Sequence, residues 1–217
     1  MMRKFIWVFM LPLLLMLIAC QDNSNERIKL NNDPLLIATF NAKQIESLQS
    51  IVAYVDDRLV SKTNSENIEE AYHEYFDSLN NSLKKNIVWH APFTDVEKYQ
   101  FLKTVDQDVY NSIWCWIKNG EGICDEKLTE IDQIKDSQLN ISGLYMDYLS
   151  QLGEKDSRYK DLHDFILSSG GAIGLGAFIF VHEGFNSGIV KNRLWAAIYL
   201  LTLHDIDVEQ QGDLEKN

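Results

Sequence analysis

Residues 65–83 read SENIEEAYHEYFDSLNNSL, and Ile68, Tyr72, Tyr75, Phe76, Leu79 and Leu83 recur in steps of 4, 3, 1, 3 and 4. That period places all six side chains on one stripe of an α-helix. Glu69, Glu70, His73 and Glu74 fall beside the stripe, so the same helix offers an acidic face to water. Upstream, across a break at Lys62-Thr63-Asn64, a second stripe is formed by Ile45, Leu48, Ile51, Val52, Val55 and Leu59, with Asn41 as its N-cap. Asp56, Asp57 and Arg58 are expected beside that stripe or off it. Downstream, Asn86 to Ala91 reads NIVWHA, a short strand or a buried connection, and Pro92 biases Ala91 towards an extended backbone.

The helical reading continues to the C-terminal side. Thr94-Asp95-Val96-Glu97 is a capping box. It opens a helical region, broken near Thr104 to Gln107, in which Val96, Tyr99, Leu102, Val109, Tyr110, Ile113 and Trp114 face the core and Asn119-Gly120 ends the run. Residues 126–138 are a short helix or a loop. Asn140 to Leu152 carries a further stripe, with Gly153 in the place of a C′ glycine. Asp156 or Ser157 caps the next helix, which ends at Gly170-Gly171. Residues 172–185, AIGLGAFIFVHEGF, are apolar all round until His182, too short to span a bilayer. They are expected to form the most buried helix, with Gly174 and Gly176 admitting a close neighbour. A last helix covers Ile189 to His204. Short loops, three prolines and no βαβ or hairpin pattern predict an all-α fold. The expected form is an irregular multi-helix bundle or array of about six to eight helices in a single domain. That domain is assigned to residues 41–205, with an extended run at Leu35–Phe40 before it and an acidic tail at 206–217 after it.

The N-terminus reads differently. Arg3 and Lys4 precede an apolar run from Phe5 to Ala19, which ends at Cys20 and the polar residues QDNSNE. Fifteen residues fall short of the roughly 20 that a spanning helix needs. The layout is that of a secretory signal peptide. Leu17-Ile18-Ala19-Cys20 resembles the lipobox of bacterial lipoproteins. The resemblance implies removal of residues 1–19, acyl chains on Cys20, a polar tether over residues 20–40 and anchorage in the cell envelope. Gln21 stands where inner-membrane retention would need an aspartate, which favours the outer membrane.

Arg3 and Lys4 leave with the signal, so the mature 198 residues carry 18 basic against 32 acidic side chains. Such a surface repels nucleic-acid phosphates and steers towards a basic protein. Cys115 and Cys124 remain, flanking eight residues, and in an oxidising compartment they are expected to form a disulfide.

Motifs of chemistry are thin. Glu70 and His73 have the E-x-x-H spacing of di-iron bundles, but that site needs the motif twice, and the acidic face accounts for it better. His182-Glu183 is followed by Asn186 where a zincin would place a second histidine, leaving His182, Glu183 and Asn186 as a candidate polar cluster. Gly170 to Gly176 lacks both the strand and the spacing of a phosphate loop. Trp89, Trp114, Trp116 and Trp195 are read as core ahead of a ligand site. No cofactor, metal or catalytic set is assigned. The leading expectation is a non-enzymatic protein-binding or scaffold lipoprotein. A second is an immunity protein that neutralises a basic toxin; a third is an enzyme acting on cell wall or glycan.

Overall fold

The computed structural model describes residues 27–85, 89–118, 121–124 and 136–203. The stretches expected to be a signal peptide and the first part of a tether, with Cys20 between them, lie outside the described residues, as do residues 126–135 and the acidic C-terminal stretch.

The chain begins with a 3₁₀ turn at Leu30–Asn32 and runs directly into α1, Pro34–Thr39. The extended run expected at Leu35–Phe40 is therefore helical. Pro34 occupies the first helical position, where its missing N–H costs nothing, and the Asp33 carboxylate accepts from Leu35 N and Leu36 N at 2.8 and 3.1 Å. Leu30 and Leu36 are fully buried, so the globular body starts at residue 30, inside the stretch assigned to the tether.

α2 spans Ala42–Thr63 and α3 Ile68–Lys85. Asn41 and Gln44 make a reciprocal capping box, each side chain 3.0 Å from the other's backbone N–H. Asn64 leaves α2 in the left-handed conformation at φ 57°, a backbone asparagine tolerates. Both stripes are buried as expected, apart from the half-buried Leu83. The second capping box, Thr94 with Glu97, opens α4, Asp95–Leu102. Asp106 caps α5, Gln107–Ile113.

After α5 the helical expectation fails. Trp114–Lys118 is strand β1, paired with β2, Glu121–Ile123, and β3, Asp136–Leu139, in an antiparallel sheet of order β2-β1-β3. Trp116 faces Ile123 on one side and Ser137 on the other. The cause is visible in the chain. WCWIK is rich in strand-forming types, and two residues, Asn119-Gly120, separate it from β2, a strong short-range hairpin signal.

α6, Leu144–Gly153, packs closely on α7, Ser157–Ser168. Gly153 lies inside α6, and its φ is negative, so it is no left-handed cap. Its role is spatial: a Cβ there would sit 2.9 Å from Lys160 Cα. Asp156 caps α7 through Arg158 N. Gly170 and Gly171 end that helix with φ of 65° and 88°.

Residues 172–185 are the second correction. They form a 3₁₀ turn, Leu175–Phe178, and the single turn α8, Ile179–His182, with Ile179 about half exposed. The most buried helix is α9, Val190–Thr202, in which every residue from Asn192 to Thr202 is buried. It packs on α2, α8 and β3. Trp114 Nε1 donates to Thr202 Oγ1 at 2.8 Å, joining the sheet to its C-terminal end. The fully buried Lys98 donates to Leu203 O at 3.0 Å and pairs with Asp95 at 2.8 Å, placing a cation where the helix dipole is negative. The fold is all-α in its mass, with one small sheet at its side.

Candidate functional site

The expected polar cluster does not assemble. His182, half-buried at the end of α8, stacks on Phe178 and points its Nε2 at Asp77 of α3, 3.5 Å away. Glu183 is exposed. Asn186 turns its side chain to Gly188 N at 2.8 Å, and its carbonyl accepts from Asn192 Nδ2 at 2.9 Å. The three residues thus serve separate contacts around one turn. Glu70 and His73 are exposed on α3, and among the described residues no three histidine, cysteine or acidic side chains gather as a metal site. Trp89, Trp114, Trp116 and Trp195 are all buried in the core. Cys115 and Cys124 are joined, with their Cα atoms 4.2 Å apart, which ties the end of β2 to β1.

A buried ionic cluster was not read from the sequence. Asp56 of α2 and Arg193 of α9 are each 1% exposed. Asp56 Oδ2 lies 3.6 Å from Arg193 Nη1, and Asp56 Oδ1 accepts from the Tyr72 hydroxyl of α3 at 3.0 Å. Arg193 Nε donates to Ser187 O at 2.7 Å, and its guanidinium lies 5.7 Å from the centre of the Tyr72 ring. Burial outweighs the pull of Arg193 and the Tyr72 hydrogen bond, raising the Asp56 carboxyl from its ordinary value to about 6. Burial also pushes the Tyr72 hydroxyl well up. The signal was positional: Asp56 stands four residues after Val52 and three before Leu59, on the buried stripe itself.

Two cavities open beside the first described residues. A smaller one of about 320 Å³ lies between Arg27 to Lys29, Glu69 of α3 and Gly188, and reaches Arg193. A larger groove of about 670 Å³ runs between residues 27–31, α1 and the first half of α2. Its walls include Ile28, Ile37, Phe40 and Ile45, with the exposed Arg27, Lys29 and Glu46 also on its lining. Gln49 Oε1 accepts from Leu30 N at 2.9 Å and holds the incoming chain along it.

A shallow third hollow follows the outer face of α3, lined by Glu74, Asp77, Ser78, Asn81, Ser82 and Lys85. Glu74 and Asp77 are neighbours on one helix face, not carboxylates opposed across a cleft. Glu70, Glu74 and Asp77 are all exposed on α3, with Glu66 exposed just before it, so this stretch presents an acidic ridge. Among the described residues no helix is long and apolar enough to cross a membrane. No protein-family model, curated protein or solved structure matches this chain.

Proposed function

We propose that the protein is a lipid-anchored envelope lipoprotein whose helical domain binds a basic protein partner through the acidic ridge of α3. The observation that carries the compartment is the Cys115–Cys124 bridge, on a chain where Cys20 closes a fifteen-residue apolar run. A disulfide favours an oxidising, extracytoplasmic space, and that is where a lipobox would deliver the domain. Gln21 after the anchor cysteine favours the outer membrane. The ridge supports the partner: Glu70, Glu74 and Asp77 project from one face of a helix whose other face is core. Such a surface accelerates the encounter with a positively charged protein. An immunity protein occluding a basic toxin is a special case of this reading and uses the same ridge.

Two measurements test it. Labelled palmitate is expected to enter the wild type and not Cys20→Ala; equal entry into both overturns the anchor. A pull-down from the native envelope at low salt is expected to recover a basic protein. High salt, or a Glu70→Lys, Glu74→Lys, Asp77→Lys variant, is expected to release it. A partner held equally by the variant overturns the ridge.

A further inference from the structure

The groove between residues 27–31, α1 and α2 lies where the tether meets the domain. Arg27, Ile28 and Lys29 form part of its wall, and Cys20 is seven residues upstream of Arg27. At an extended reach of roughly 3.3–3.6 Å per residue, whatever Cys20 carries stays within about 25 Å of Arg27. We propose that the groove is the seat of one of the acyl chains attached to Cys20, held by the domain when the protein is out of the membrane. This rests on the acylation of Cys20 put forward above.

Three observations select that occupant. The groove is walled by Ile28, Ile37, Phe40, Ile45, Ala42 and Ala53, and its volume of about 670 Å³ is that of an apolar ligand site. Ile37 is 54% exposed, a large apolar side chain left uncovered at the site itself. Only six residues separate the attachment point from Arg27, which confines the acyl chain near the groove at an effective concentration of about the millimolar range. A free lipid in a dilute aqueous compartment does not reach it. The Gln49 bond to Leu30 N keeps the wall-forming strip in place. Apolar burial supplies the attraction and needs no directional partner.

The test uses three proteins, each of residues 20–217, and cis-parinaric acid, a fluorescent fatty acid. The first is the lipidated wild type, exchanged out of detergent, with its acylation established by intact mass. The second is unlipidated Cys20→Ala. The third adds Ala53→Trp to Cys20→Ala, filling the groove; Ala42→Trp, at an exposed position, replaces it if that protein does not fold by circular dichroism. Saturable one-to-one binding is expected for Cys20→Ala, at least tenfold weaker for the filled variant, and at least tenfold weaker for the lipidated wild type. No binding by Cys20→Ala, or unchanged binding in the filled variant, overturns the groove as the seat. Equal binding by Cys20→Ala and an acylated wild type shows that the groove takes another lipid, and overturns the occupant. A wild type without the acyl mass overturns the anchor reading, and this inference with it, by a separate observable.

Discussion

Residues 172–185 and residues 190–202 are both strongly apolar, yet they end in opposite situations. The second becomes α9, buried from Asn192 to Thr202. The first breaks into a 3₁₀ turn and one turn of helix, leaving Ile179 about half exposed. Composition does not separate them; continuity does. Gly174, Gly176 and Gly184 interrupt the first stretch, each costing helix about 1 kcal/mol relative to alanine, while VKNRLWAAIYLLT contains neither glycine nor proline. The outer segment is held instead by borrowed contacts. Arg158 donates to Gly184 O and Phe180 O at 2.9 Å each, and Gly171 O accepts from Leu139 N of β3 at 2.9 Å. A central helix is stabilised by what it buries; a peripheral segment is stabilised by what reaches over to it.

The sharpest test of that contrast is paired truncation. Trp195→Ala in α9 is expected to cost about 3–5 kcal/mol. Ile179→Ala in the outer segment should stay within about 0.5 kcal/mol. Urea unfolding of the two variants measures the gap, and comparable losses would break the comparison.

Next comes the charge inside the buried helix. Arg193→Met leaves Asp56 buried without its counter-charge and is expected to cost about 3 kcal/mol at pH 7. The loss should shrink at pH 5, where the carboxyl takes up a proton. In the wild type the sign follows from a folded value of about 6 against an ordinary 3.8. The folded state holds this proton where the unfolded state has released it. The contribution is therefore complete below about pH 4, is lost as pH rises towards 6, and stays flat above. Asp56→Asn should remove that slope; urea midpoints from pH 4 to 7 read it.

The sheet supplies the third test, because β3 holds the outer segment through Gly171. Replacing Cys115 and Cys124 by serine is expected to cost about 2–3 kcal/mol, the entropy of a loop this short. Hydrogen exchange should then quicken at the Leu139 amide and across residues 172–185 before it quickens in α9. Uniform acceleration would deny the outer segment its dependence on the sheet.

The smallest effects lie at two glycines of opposite sign. Gly171 has φ 88°, and a Cβ there would meet Leu139 O at 2.1 Å, so Gly171→Ala is expected to cost more than about 1 kcal/mol. Gly174 has a negative φ and nothing within 4 Å of a Cβ. Gly174→Ala should therefore stabilise by about 0.4–1 kcal/mol, readable as a rise in Tm.

Much of this architecture was legible in residue patterns because helix starts and stripes are local. Asn41, Thr94 and Asp156 cap the helices they were read to cap, since a side-chain oxygen three or fewer residues from an N–H needs no tertiary partner. The Ile68 to Leu83 stripe faces the core in the same way, only Leu83 remaining half-buried at its end. Asp33-Pro34 is equally local, since proline at the first helical position is a start signal. Trp114 departs from the helical expectation for another reason. Strand and buried helix cannot be told apart over four apolar residues until a partner pairs with one edge, and β3 pairs with Trp114 from more than twenty residues away.

Of the candidate site, sequence reached only the cysteines, which stand nine residues apart in the chain. His182, Glu183 and Asn186 are neighbours in the chain, but each turns to a different element, because side-chain direction is set by packing. The Asp56–Arg193 pair exists only after α2, α3 and α9 have met, and the groove only after residues 27–31 and α1 have folded onto α2. Local order along the chain determined where most helices begin and which faces they hide. Which helix lies at the centre, which charges are shut away with it, and what hollow remains beside residues 27–31 were decided by long-range contact, since burial depends on neighbours far off in sequence.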